Sequence, residues 1–256
     1  ACDFKAFEVL DNVFLNDPKD TYYAHRREAA IIVTLACFNP NQACFCPVFG
    51  LDATKPQGDI NAYLTAENLY LDANTEKGEA LFSALGDMSG KLKDAQKADE
   101  KTVAAEQKAA KERFDKLPFK NLDLTPFKAD MKETFADEKW QKLSQGCLGC
   151  GACTFVCPTC QCFDIRDFKA KDGVIRFRCW DSCMYSDFTQ MAGGNPRTTQ
   201  TQRFRQRFMH KLVYYPKRYG GTYSCVGCGR CVEKCPQHLN IVKVIKEFSK
   251  DGKEGE

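Results

Sequence analysis

No stretch of this chain stays apolar for the roughly 20 residues that a membrane-spanning helix needs, and no secretory signal pattern is present. The most apolar stretch, Ala29 to Phe38, is short, β-branched and strand-like. There is no dinucleotide fingerprint, phosphate loop or nucleophile motif, so nucleotide binding and bond-making chemistry have no recognisable seat. Histidine is scarce: His25, His210 and His238 are scattered, and each reads as a surface or core residue rather than a ligand. The formal net charge is only +3, too small to argue for nucleic acid. An initiating methionine is also missing. The chain opens Ala1-Cys2-Asp3-Phe4, which reads as a processed or partial chain. Together these absences point to a cytoplasmic protein with no transmembrane segment.

Cysteine is what the chain has. It carries 16, about 6% of the residues, below the roughly 8–10% of a small disulfide scaffold. Without export signals, crowded and regularly spaced cysteines read as metal ligands rather than disulfides. Two runs stand out: Cys147-x2-Cys150-x2-Cys153-x3-Cys157-Pro158, and Cys225-x2-Cys228-x2-Cys231-x3-Cys235-Pro236. Three thiolates at this spacing wrap a tight loop around three corners of an iron–sulfur cube. Gly149, Gly151, Gly227 and Gly229 let the backbone turn close to the inorganic sulfur. In such paired runs the fourth cysteine ligates the other cluster. The expected sets are therefore Cys147, Cys150, Cys153 and Cys235 for one 4Fe–4S cluster, and Cys225, Cys228, Cys231 and Cys157 for a second. Tetrahedral zinc needs only four ligands, usually as two C-x2-C pairs. It leaves the third cysteine and the Cys-Pro of each copy unexplained.

Eight cysteines remain. Cys160, Cys162, Cys179 and Cys183 could together hold another metal centre or be buried thiols packed near the clusters. Cys2, Cys37, Cys44 and Cys46 could hold a third 4Fe–4S cluster, with Asp3 a substitute ligand, or be structural.

The organisation along the chain is α+β. Residues 1–89 read as an α/β domain: helix over Phe4 to Leu15, strand over Ala29 to Ala36, a hairpin of Ala62–Thr65 and Leu69–Asp72, and helix over Glu79 to Leu85. Residues 90–118 are rich in Lys, Ala, Glu, Asp and Gln and read as a solvated helical linker. Residues 119–256 read as the cluster domain. It begins with two short helices in Leu122 to Leu143, anchored by Trp140, and ends in a frayed tail from Ser249. The 67 residues between Cys157 and Cys225 far exceed the insert of a compact bacterial ferredoxin. Much of this insert reads as helix, notably Thr201 to Tyr214, so the domain is expected to be of an α-helical ferredoxin type. Arg197 to Arg218 holds seven basic residues and no acidic ones. A nucleic-acid surface is one reading. A helix that balances cluster charge and packs on a partner is the plainer one, and no helicase or nuclease motif accompanies it.

Cys147 to Ile165, Trp180-x-Ser182-Cys183-Met184, Met191-Ala-Gly-Gly194 and Cys225 to Pro236 resemble the iron–sulfur subunits of two enzyme types. One is the β subunit of sulfhydrogenases, which are cytoplasmic nickel–iron hydrogenases. The other is the corresponding iron–sulfur subunit of anaerobic sulfite reductases. Ala1-Cys2-Asp3, Leu10-Asp11-x-Val13-Phe14-Leu15, Arg26-Arg27-Glu28 and Cys44-Phe45-Cys46 extend the resemblance over nearly the whole chain. Cys160, Cys162 and Cys183 match family cysteines, and Cys179 has no clear counterpart. Pro47-Val48-Phe49-Gly50 departs from the glycine-rich turn usual in the family. The resemblance implies a hetero-oligomer. In it this chain wires a flavin subunit handling NAD(P)H to a catalytic redox subunit, with no catalysis of its own. A catalytic reductase using an extra cysteine-bound cluster at a substrate site is the alternative.

Overall fold

The computed structural model describes residues 1–89 and 93–250. It divides into two compact units. The first is Ala1–Lys120 with Val226–Cys228, and the second is Asn121–Cys225 with Gly229–Glu256.

In the first unit, α1 (Cys2–Phe14) buries Ala6 and Val9. α2 (Thr21–Ala29) starts at Asp20, whose carboxylate accepts the Tyr23 N–H at 3.0 Å, satisfying one of the donors a helix start leaves open. The two helices are tied through Asp11, which accepts from the Tyr23 hydroxyl at 2.7 Å and from Arg27 Nε at 3.2 Å. Because α2 runs through Ala29, β1 (Val33–Leu35) is shorter than the strand expected over Ala29 to Ala36. β1 pairs in parallel with β2 (Ile60–Leu64), Val33 opposite Ile60. β2 pairs antiparallel with β3 (Leu69–Ala73) as the expected hairpin, Ile60 opposite Ala73. α3 (Glu76–Ser89) follows.

α4 (Lys97–Phe114) occupies the stretch that composition marks as a linker, of which residues 90–92 lie outside the described residues. Its exposed faces are charged, but Ala110 and Phe114 are buried one turn apart, followed by buried Leu117. Ala110 packs with Ala36 and Phe38. Arg113 Nη1 donates to Phe38 O at 2.9 Å, and Gln107 Nε2 to Thr54 O at 3.1 Å. A narrow apolar seam inside a Lys- and Glu-rich sequence thus docks this helix within the first unit.

The second unit opens with α5 (Met131–Ala136) and α6 (Lys139–Ser144). Trp140 on α6 is 1% exposed. Its indole N–H donates to Thr134 O at 2.7 Å, and its ring meets Phe208 and Phe248. α7 (Ala152–Phe155) lies inside the first cysteine run. β4 (Phe163–Ala170) and β5 (Gly173–Trp180) form an antiparallel hairpin with Phe163 opposite Trp180. The hairpin belongs to the insert, much of which reads as helix from the sequence. α8 (Gln200–Met209) runs on through a π-helical turn, His210–Tyr214, into α9 (Tyr215–Arg218). α10 (Arg230–Lys234) lies inside the second cysteine run. α11 (Ile241–Phe248) is N-capped by Asn240, whose side-chain oxygen accepts from the N–H groups of Val242 and Lys243. Its Val244, Ile245 and Phe248 join Trp140, Phe204, Phe208 and Leu212 in the core. Residues 251–256, most of the expected frayed tail, lie outside the described residues. Among the described residues no helix is long and apolar enough to cross a membrane.

Candidate metal centre

The two cysteine runs adopt one local design. In each, a glycine in the left-handed region, Gly151 (φ 72°) or Gly229 (φ 77°), caps a short helix that carries the third cysteine. Cys153 rides on α7 and Cys231 on α10, and these helices pack together. A side chain at Gly151 would strike the ring of Tyr185. That ring is held where its hydroxyl donates to Cys150 O at 3.4 Å.

The structure brings Cys147, Cys150, Cys153 and Cys235 to the wall of one cavity, with Met184, Phe204, Arg207 and Phe208 also among its lining. Burial pushes the Cys153 thiol up, and the negative charge of Cys231, Cys147 and Cys235 pushes it further, against the pull of Arg207. Two donors point at sulfur here: Gln200 Nε2 to Cys147 Sγ at 3.4 Å, and the Leu239 N–H to Cys235 Sγ at 3.2 Å. Such bonds stabilise thiolate charge. Among the described residues no group of three or more His, Cys, Asp or Glu side chains closes tightly enough to hold a single metal ion. A cube of four irons instead takes its thiolates at separate corners.

Behind this wall lie two buried cations. Arg207 on α8 is 2% exposed and Lys211 on the π turn is 3% exposed. Arg207 Nη2 donates to Cys153 O at 3.1 Å. Its Nε and Nη1 are buried without a hydrogen-bond partner among the described residues. Lys211 Nζ donates to Thr159 Oγ1 at 2.8 Å and to Ser224 O at 2.9 Å. The Thr159 hydroxyl stands 3.2 Å from Cys157 Sγ. Burial works against both charges. The attraction of Cys153, Cys231, Cys160 and Cys157 more than restores the first. That of Cys157, Cys160 and Cys225 does the same for the second.

The π turn has a structural reason. Tyr215 N–H bonds His210 O, and Pro216 has no N–H to offer Lys211 O in its place. Ser224 N–H takes that carbonyl instead, at 3.1 Å. The residue before Cys225 is thereby fastened to the helix. From the sequence this helix is legible only as a charge-balancing one. Arg207 and Lys211 cannot be singled out among seven basic residues until the helix phase is known.

Cys160 is hydrogen-bonded to Cys157, which is held well below the ordinary thiol range mainly by that bond, while Cys160 is pushed up by it. Cys162 and Cys183 form a second pair. The Cys183 thiol bonds to Cys162 and brings it to about 7, and Cys183 itself is raised. The hairpin register explains their meeting, because Cys162 and Asp181 flank the Phe163–Trp180 pair and Asp181 N–H bonds Cys162 O. Ser182, in the same turn, bonds Thr154 of α7 at 2.8 Å. Cys179 sits on β5 opposite Asp164, its thiol 4.0 Å from Asp164 O.

In the first unit, Cys46 is 4% exposed and packs with Cys37 and Cys44. Burial, then the charge of Cys44, Cys2 and Cys37, pushes its thiol up to about 12. Burial raises Cys37 too, with Cys44 and Cys2 adding to it. Cys37 and Cys46 are thus each within electrostatic reach of Cys44 and Cys2. The 226–228 segment of this unit closes over them. Phe45 N–H donates to Gly227 O at 2.8 Å, and the Cys44 thiol lies 3.7 Å from Cys228 O. Gly227 has φ 63°, and a side chain there would meet the backbone of Phe45 and Cys46 at 2.5 Å.

Comparison with known proteins gives a family model described as a 4Fe-4S dicluster domain, matched over residues 146–239. Sulfhydrogenase 2 subunit beta of Pyrococcus furiosus is 34% identical over 250 residues, covering 96% of this chain and 71% of that protein. No solved structure matches.

Proposed function

The chain belongs to the iron–sulfur subunit family of the sulfhydrogenase beta subunit, and from that premise we propose that it relays electrons between other subunits of an oxidoreductase complex. One observation carries the reading. A cavity walled by Cys147, Cys150, Cys153 and Cys235 is backed by a buried Arg207 with two orphaned donors. A buried, incompletely paired cation is costly, and a thiolate-bound iron–sulfur cluster is a net anion that offsets the cost. The donor set and its electrostatics therefore fit such a group.

The proposed ligand sets are Cys147, Cys150, Cys153 and Cys235, and Cys225, Cys228, Cys231 and Cys157. Clusters bound there would supply reversible one-electron storage. The chain's own contribution is to hold the thiolates, to donate to them from Gln200 and the Leu239 amide, and to place positive charge behind them. The fold serving this is an N-terminal α/β part followed by a helical ferredoxin-type part, here with an added β-hairpin.

A third set, Cys2, Cys37, Cys44 and Cys46, is proposed on the electrostatic reach of Cys37 and Cys46 to Cys44 and Cys2 and on burial of Cys46. Cys160 reads as a thiol hydrogen-bonded to Cys157 of the second set, and Cys162 and Cys183 as a hydrogen-bonded pair of their own. The partners would be a flavoprotein subunit handling NAD(P)H and a catalytic redox subunit, in the cytoplasm, where thiols stay reduced.

The test is anaerobic purification with iron and sulfide analysis. About twelve iron is expected with all three sets filled, and about eight rejects the third. A colourless protein with stoichiometric zinc overturns the reading. So does turnover of sulfite or hydrogen by the isolated chain, whereas a relay exchanges electrons with a viologen dye alone.

A further inference from the structure

Lys211 and Arg207 are one helical step apart (i, i+4) on the α8–π segment, and their cysteine neighbours overlap without being the same. Lys211 bonds Thr159, whose hydroxyl stands 3.2 Å from Cys157 Sγ, and Ser224 O, next to Cys225 in the chain, and it is attracted by Cys157, Cys160 and Cys225. Two of these three belong to the set of Cys225, Cys228, Cys231 and Cys157. Arg207 donates to Cys153 O and lines the cavity of the other set, and it is attracted by Cys231, Cys160 and Cys157 as well as by Cys153. Both side chains are buried, so solvent screens them little. Each is also fixed. Lys211 is held by Thr159 and Ser224 O, and the π turn it sits on is fastened through Ser224 N–H.

We propose that Lys211 and Arg207 are potential-setting residues: Lys211 raises the reduction potential of one cluster selectively, and Arg207 raises both, so that the pair fixes the downhill direction of the relay. This rests on the cluster assignment above. Reduction adds one electron, from the upstream redox partner or from dithionite in a titration, and no proton need move. The added negative charge is stabilised by a fixed buried cation in proportion to its nearness. A cation beside one set therefore separates two otherwise similar clusters in potential. The selective effect follows from position on the helix, and nothing in the spacing of the cysteine runs supplies it.

The experiment is an EPR-monitored redox titration of the full chain with Lys211→Gln, Lys211→Arg, Arg207→Gln and Arg207→Lys. Gln at 211 keeps a donor for Thr159 and Ser224 O while removing charge. Lys211→Gln is expected to lower the potential of one cluster by at least tenfold in the one-electron equilibrium constant, about 59 mV. The other should move clearly less. Arg207→Gln is expected to lower both, and the two charge-conserving variants to stay near wild type. Neutral variants that load iron like wild type but leave both potentials in place overturn the proposal. Neutral and charge-conserving variants that shift potentials equally do so as well. Loss of iron in the neutral variants while the charge-conserving ones load normally makes the pair structural and also overturns it. Wild-type protein without iron would instead overturn the cluster assignment itself.

Discussion

At the scale of single residues, the cysteine runs are held by conformations that few side chains tolerate. Gly227 is the sharpest case. Its φ of 63° lies in the left-handed region, and a methyl group there would sit 2.5 Å from the backbone of Phe45 and Cys46. No flexible side chain can yield, because the obstacle is main chain. Gly227→Ala is therefore expected to cost at least about 1–3 kcal/mol of strain and to lower iron content, measured by iron analysis of the purified variant. His210 carries a different consequence. Burial, with Lys211 and Arg197 nearby, pushes it down to about 4. Its folded value lies below its unfolded one, so the unfolded chain takes up the proton first as pH falls. Stability is unaffected above about pH 6.5 and is lost between there and about 4. Relative to wild type, His210→Gln should flatten the fall of the melting temperature across that window. A wild-type and variant pair with parallel curves would refute this.

Elements carry the second level. The α8–π–α9 segment does three jobs: it packs Phe204, Phe208 and Leu212 into the core, presents Arg207 and Lys211, and anchors Ser224. Trp140 on α6 packs against Phe208 and Phe248. Trp140→Ala should cost about 3–5 kcal/mol, read as a large drop in apparent melting temperature. The β4–β5 hairpin is the opposite kind of element. Ile165, Phe168, Val174 and Trp180 are all exposed, and a lone two-stranded hairpin adds little stability of its own. Replacing residues 167–174 by a short turn should leave the iron count unchanged, provided Cys162 and Cys183 are kept. α4 shows how composition misleads at this level. Its mean polarity is that of a spacer, yet Ala110 and Phe114 are enough to bury one face.

For the whole molecule, two buried cations and a cysteine-walled cavity mean that the proposed clusters would be part of the fold. Stripping iron with a chelator under reducing conditions removes the anionic groups proposed to face Arg207 and Lys211. An uncompensated buried charge typically costs about 3–5 kcal/mol. The second unit is therefore expected to become protease-sensitive on iron removal, with cleavage sites mapping to 121–225. Unchanged digestion would contradict it.

The sequence by itself determined what depends on short-range spacing. The two cysteine runs, the helix of Phe4 to Leu15, the β2–β3 hairpin and the Trp140 anchor are all legible, because each is encoded within a few residues of chain. Tertiary structure decided what depends on phase and distant neighbours. Which two of seven basic residues are buried is set by the turn of α8 and by Pro216. The meeting of Cys162 with Cys183 is set by hairpin register. The closure of Gly227 on Cys46 joins positions far apart in sequence that only the folded chain brings together.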